Sequence, residues 1–293
     1  MSNNLNRLCL GTVQFGIAYG IANQFGQVPL SEVRAMVQLA KENGVDSLDT
    51  ASAYGVSEDR LGEVGIHSFK VVTKLPDLPG GYENISHWVF KQVDASLSRL
   101  GVSKAYGLLL HRSENLLRSN GSELYKALQD LKLSGVVQKI GISIYSPSEL
   151  DALTSNYCFD LVQAPFNLID RRLHSSGWLY RLKDLGVEVH TRSTFLQGLL
   201  LMGQSNMPLK FAPWSNLWKI WQSWLIENDV SALHAALSFP LSLPEVDRVV
   251  IGAESVVQLS EIIKCSKLHL DITLPNLQSD DLKLINPTNW NLL

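Results

Sequence analysis

Eight short apolar runs, each separated from the next by a stretch with its own helical or loop character, limit the folds open to this chain more than any other feature. They fall at 8–11, 45–49, 70–74, 105–110, 138–143, 159–163, 186–191 and 247–251. Each is too short for a globular helix and largely apolar throughout, as strands covered on both faces are. Eight strands alternating with helices give an α/β chain whose expected architecture is a (β/α)8 TIM barrel. No charge run, low-complexity tract or linker divides the sequence, so residues 1–293 are expected to form one domain.

The helical stretches carry their own punctuation. Val33, Met36, Val37 and Ala40 follow the i, i+3, i+4, i+7 pattern, with Ser31 as the expected N-cap and Gly44 as the stop. Ile85, Val89, Val93, Leu97 and Leu100 form a second stripe that ends at Gly101. Ser146-Pro147-Ser148-Glu149 reads as a capping box with proline at the first helical position. Leu179, Leu182 and Leu185 run up to Gly186. Two regions break the rhythm, a glycine-rich polar stretch at about 12–30 and a longer one at about 193–246. In a barrel both would lie on the rim at the C-terminal ends of the strands, where loops build binding sites.

Composition excludes several classes. The net charge of −3 leaves no electrostatic footprint for nucleic acid. No run reaches the roughly 18 apolar residues of a membrane span, and Met1-Ser2-Asn3-Asn4 opens no signal region. Cys9, Cys158 and Cys265 are far apart and odd in number. They suggest neither a disulfide framework nor a metal cluster, and a reducing cytoplasm is the expected compartment.

Four ionisable groups stand at or just past the ends of successive strands: Asp49, Tyr54 five residues later, Lys74 and His111. On a barrel these positions converge on one rim. A phenol with a pKa near 10 is a poor acid or base at neutral pH. An ammonium beside it is expected to lower that pKa, and a carboxylate would fix the ammonium. A histidine can orient a carbonyl oxygen or relay its proton. An ordinary ion pair with two packing aromatics explains any one of these residues, but not four on one rim.

Those residues carry a resemblance to the aldo-keto reductases that extends over nearly the whole chain. Leu10-Gly11-Thr12, Phe15-Gly16, Asp49-Thr50-Ala51, Tyr54-Gly55, Ser57-Glu58, Leu61-Gly62 and Thr73-Lys74 match the family's pattern. The resemblance implies carbonyl reduction by NADPH or NADH, with Asp49, Tyr54, Lys74 and His111 as the catalytic set. It further implies that Gly11 and Thr12 lie at the cofactor and that Ser143 and Gln163 hold the nicotinamide carboxamide. Ser193, Phe195 and Gly198 fall in the loop that wraps the pyrophosphate, Arg192 just before them at the nicotinamide, and Gly252, Ser255 and Gln258 at the adenosine end. Alone, Ser193 and Ser255 would read as helix caps. No metal is implied. The opening from Gly11 to Gly26 is also similar to reductase-like proteins of bacterial surface-sugar pathways.

Departures from the pattern bear on the chemistry. Ile144 stands where an asparagine is common, Arg192 where an aromatic residue stacks on the nicotinamide, and Ile262 where a polar residue lies near the adenine. Little chain precedes the first strand, so the hairpin that plugs many such barrels is expected to be short or absent. Relatives that favour NADPH place basic residues after strand eight, whereas Gly252 to Gln258 holds Glu254 and no base. Trp214, Trp218, Trp221 and Trp224 share one helix face; core packing or a subunit contact is favoured over an aromatic wall for a sugar ring. The expected partner is a small carbonyl compound, carbohydrate-like in one reading, with a homo-oligomer open. The rival reading is a nucleotide-binding, redox-responsive interaction module with little turnover.

Overall fold

A computed structural model describes residues 7–292, so the start of the chain and the expected missing hairpin lie outside the described residues. Eight parallel strands close into a barrel in sequence order. They are β1 (Leu8–Gly11), β2 (Ser47–Asp49), β3 (Lys70–Leu75), β4 (Ala105–Leu110), β5 (Val137–Ser143), β6 (Leu161–Pro165), β7 (Glu188–Arg192) and β8 (Arg248–Gly252). The α-helices are α1 (Val13–Gly16), α2 (Leu30–Glu42), α3 (Ser57–Val64), α4 (Ile85–Leu100), α5 (Gly121–Leu133) and α6 (Ser148–Leu153). They continue with α7 (Arg172–Ser175), α8 (Trp178–Asp184), α9 (Ser215–Glu227), α10 (Ala232–Leu241), α11 (Val256–Ser266) and α12 (Leu282–Ile285).

Every expected strand forms, with edges displaced by a residue or two. β6, β7 and β8 begin and end later than their apolar runs, which makes Arg192 and Gly252 the last residues of their strands. Register pairs Gly11 with Asp49 and with Gly252, and separately Ser143 with Gln163, and the Gln163 side chain joins the two sets by donating to Asp49 at 2.6 Å.

Helix boundaries depart from the expected caps where proline intervenes. α2 begins at Leu30 with extended Pro29 ahead of it, and the Pro29 carbonyl accepts from Val33. Ser31 therefore lies inside the first turn and caps nothing. Gly101 ends α4 in the left-handed conformation as expected. Glu149 makes its half of the capping box by accepting from the Ser146 N–H at 2.8 Å.

The main core lies between strands and helices, while the barrel interior holds a small apolar cluster of Val72, Leu109 and Leu161. Below that cluster the interior turns polar: Glu188 accepts from the Tyr106 hydroxyl at 2.7 Å and pairs with the buried ring of His190 at 2.7 Å. The long connection after β7 contains three 3-10 turns, α9 and α10. Trp218 and Trp221 are buried in the core from α9, and Trp221 stacks on Trp224 with 5.9 Å between centroids. The indoles of Trp214 and Trp224 bond to Asp281 and to the Thr273 carbonyl. None of the four lines the rim cavity, so packing prevails over the substrate wall.

Candidate active site

Two glycines set Tyr54 in place. A Cβ on Gly16 would fall 1.5 Å from the Tyr54 carbonyl oxygen, and Gly55 has a φ of 56° with the Gly16 carbonyl 2.5 Å from where its own Cβ would be. The turn after β2 is pinned further by Ser57, whose Oγ donates to the Thr12 carbonyl at 2.8 Å. The Thr12 hydroxyl donates to the Asp49 carbonyl at 3.0 Å, so Thr12 serves the scaffold as well as the cavity wall. Glu58 anchors α3 from below, accepting from Thr73 at 2.6 Å and from Arg99 on α4 at 2.6 Å.

On this scaffold the four rim residues come together. The Lys74 Nζ, 0% exposed, donates to both Asp49 carboxylate oxygens at 2.8 and 2.7 Å and to the Thr50 carbonyl at 2.9 Å. It lies 3.5 Å from the Tyr54 hydroxyl and 5.1 Å from its ring centre. The Tyr54 and His111 rings meet edge to face with centroids 5.8 Å apart. Tyr54 and His111 face a rim cavity of about 850 Å3, whereas Lys74 is sealed behind them.

The electrostatics correct one expectation. Burial pushes the Tyr54 pKa up, and Lys74 offsets this only in part, so the phenol stays above its ordinary value rather than below it. Tyr54 is therefore a loaded proton donor at neutral pH. Burial alone would lower the Lys74 pKa, but Asp49 outweighs it and the net shift is upward. Burial, with Lys74 and the guanidiniums of Arg192 and Arg112 adding to it, pushes His111 down to about 4. His111 is neutral, with one N–H to donate.

Loops after β1 and β7 close the remaining wall. Ser193, Leu196 and Gln197 hold left-handed φ values of 63°, 48° and 54°, and Gly198 follows at 88°. A Cβ on Gly198 would meet that of Ala22 at 2.4 Å, and Gln197 donates to the Tyr19 hydroxyl at 3.1 Å. The first expected insertion thus roofs the cavity against the second. Gly11, Gln14, Ser143, Gln163, Phe195, Gly252 and Gln258 continue its wall.

A sequence model of the aldo/keto reductase family matches residues 7–274. The chain belongs to that family. It is similar to an uncharacterized oxidoreductase of Bacillus subtilis, 27% identical over 249 residues, which are 78% of this chain and 79% of the relative. It is also 29% identical to the L-galactose dehydrogenase of Arabidopsis thaliana over 279 residues, covering 87% of this chain and 83% of that one. Among solved structures, a holo aldo-keto reductase of Bacillus halodurans shares the fold at a TM-score of 0.70 and 21% identity. That likeness covers 90% of this chain and 87% of the other. The protein is an NAD(P)-dependent reductase, and the rival reading of an interaction module finds no support.

The rim of this reductase fits a nicotinamide nucleotide. Gln163 Nε2 donates to Asp49 Oδ1 at 2.6 Å, while its Oε1 is buried without a partner in the cavity wall. An unsatisfied buried acceptor calls for a donor from outside the protein. Ser143, its register neighbour, adds a hydroxyl. Ile144 is buried in the core, 0% exposed, and adds no polar atom to that wall. Ser255 does not line the cavity; it caps α11 by accepting from Gln258 at 3.2 Å, as its bare sequence context suggested. The Arg192 guanidinium lies over the Tyr145 ring at 4.7 Å, so one of its faces is already covered.

Several wall residues escaped the sequence reading: Tyr145, Gln14, Glu261, and Pro287 and Thr288 from the C-terminal segment. Only Tyr145, beside Ser143, offered a local signal. The C-terminal segment returns to the rim through tertiary contacts, with Lys210 donating to the Trp290 carbonyl at 3.0 Å.

Proposed function

We propose that Tyr54 is the general acid of carbonyl reduction in this cavity, and that the substrate is a small hydroxylated, sugar-like carbonyl compound. The observation that carries the first part is a phenol kept protonated by burial, 3.5 Å from a fully buried ammonium. When bound, the nicotinamide supplies the hydride that reduces the carbonyl carbon. Tyr54 Oη delivers the proton to the carbonyl oxygen. Lys74, held charged by Asp49, stabilises the phenolate left behind. Neutral His111 orients the carbonyl through its N–H without competing as an acid.

Gln163 and Ser143 are the groups proposed to hold the carboxamide, and the loop at Ser193 to Gly198 the pyrophosphate. Glu254 and Gln258 stand at the adenosine end. A sugar-like substrate is supported by the L-galactose dehydrogenase among the relatives. None of the described helices is long and apolar enough to cross a membrane. Three free cysteines, one of them exposed, support a reducing cytoplasm as the compartment. Titration with each of the four nicotinamide nucleotides, followed by turnover on a panel of aldoses and keto-sugars, tests the reading. Tight nucleotide binding with reduction of at least one sugar carbonyl is expected; binding of none of the four would contradict it.

A further inference from the structure

Beside His111 the rim cavity shares Tyr145 and Thr288 with a second cavity of about 460 Å3. Two guanidiniums flank the shared tyrosine. Arg192 lies 4.7 Å from the centre of the Tyr145 ring and Arg112 lies 5.7 Å from it. Arg192 donates to the Ile144 carbonyl at 3.1 Å and lies 3.4 Å from the Ser193 hydroxyl, with no carboxylate partner among the described residues. The rest of its five-donor fork is uncommitted. Arg112 has Glu114 at 3.9 Å, but both side chains are about half exposed, at 48% and 52%, so that pair is weak.

The other acids near this mouth are already engaged. Glu149 accepts from Ser113 and from the N–H groups of Tyr145 and Ser146. Asp170 is buried against Arg172 at 2.8 Å. Asp49 is held by Lys74 and Gln163. Glu149 keeps its charge, because its donors are neutral, and with Glu114 it faces Arg112 in the second cavity, whereas Arg192 in the rim cavity meets no carboxylate among the described residues. The guanidinium field reaches the reacting groups, since Arg192 and Arg112 both help to lower the His111 pKa.

We propose that Arg192 and Arg112 form an anion receptor that selects carbonyl substrates bearing a carboxylate or phosphate close to the reacting group. A guanidinium fork gives such a group directional, charge-assisted hydrogen bonds. Tyr145 lies within 6 Å of both forks and lines both cavities, and its hydroxyl makes no hydrogen bond among the described residues. This inference rests on the carbonyl-reduction reading and deepens it, because it names the substrate's charged handle.

Matched pairs of aldehydes test it: succinic semialdehyde against butanal for a carboxylate, and glyceraldehyde 3-phosphate against glyceraldehyde for a phosphate. The anionic member of at least one pair should be reduced with a kcat/KM at least about tenfold higher than its neutral partner. Arg112→Met should raise KM for that anionic substrate several-fold and leave butanal turnover as it was. Arg192→Lys should retain more of the charge preference than Arg192→Met. Which pair shows the preference identifies the handle. Equal kcat/KM within both pairs, or an Arg112→Met variant that affects charged and neutral substrates alike, would overturn the receptor while leaving the reductase reading intact. A separate readout needs no turnover: calorimetric titration of the nucleotide-bound protein with succinate and with inorganic phosphate. Binding that weakens in Arg112→Met supports the receptor even if no aldehyde is reduced, and absence of binding by both anions counts against it.

Discussion

Glu32, on α2, accepts a hydrogen bond from the backbone N–H of Val256 at the start of α11, 2.5 Å away and 224 residues on in the chain. A carboxylate thus already occupies the helix end that would otherwise attract an anion. Its neighbours are spent too, the Glu254 N–H on Gln258 at 2.8 Å and the Gln258 N–H on Ser255 at 3.2 Å. Glu254 and Glu261 face the same end of the cavity.

A 2′-phosphate brings close to two negative charges and wants basic partners. NADH is therefore expected to bind at least as tightly as NADPH, and Glu254→Arg to shift the preference toward NADPH. Calorimetric titration of wild type and variant checks both statements. NADPH binding more than about a hundredfold tighter than NADH to the wild type would refute them.

The sealed Lys74–Asp49 pair predicts that both partners matter for folding as well as for turnover. Removing one member of a buried ion pair typically costs about 3–5 kcal/mol, because the other is left charged and unsolvated. From sequence alone Asp49→Asn is expected to be milder than Lys74→Met, because the lysine would retain its charge without its partner. In the structure Asp49 is what holds the Lys74 pKa above its ordinary value against burial. Without it only Tyr54 is left to oppose burial, and the Lys74 pKa moves down. Denaturant unfolding at neutral pH should show Asp49→Asn and Lys74→Met both clearly destabilised, with low activity in each. The wild-type contribution is fully present below the unfolded lysine value of about 10.5 and is lost only as pH rises through the higher folded value. An Asp49→Asn variant of wild-type stability and rate would contradict this.

The pH dependence follows from two directions of shift. His111, lowered to about 4, is neutral throughout the range where an ordinary histidine titrates. Tyr54, raised above 10, keeps its proton well into alkaline solution. The pH profile of kcat/KM should therefore lack a limb near 6.5, and its acid limb should fall near pH 4. A limb near 6.5 that disappears in His111→Asn would show that the imidazole is not held neutral.

Much of this molecule is written in local sequence. The strands are legible because burial on both faces makes them apolar runs, and Asp49, Lys74 and His111 because they sit at or beside the strand ends. What stays illegible is set by distant packing. Gln163 reaches Asp49 across 114 residues, and Glu32 reaches Val256 across 224. The sign of the Tyr54 shift depends on how deeply the phenol is buried, which no spacing reveals. Pro29 displaced the expected cap at Ser31 because its fixed φ of −61° suits the entry to the helix. The return of Pro287 and Thr288 to the cavity depends on packing of Trp290 against Phe211, centroids 5.0 Å apart.

The central claim is that Tyr54 supplies the proton in a nicotinamide-dependent carbonyl reduction. Tyr54→Phe removes one hydroxyl and leaves the ring against His111 and Lys74, so it isolates that proton. Nucleotide affinity should be unchanged, while kcat on the best carbonyl substrate should fall about 10²–10⁴-fold. A Tyr54→Phe enzyme that binds nucleotide normally and turns over at close to the wild-type rate would contradict the account.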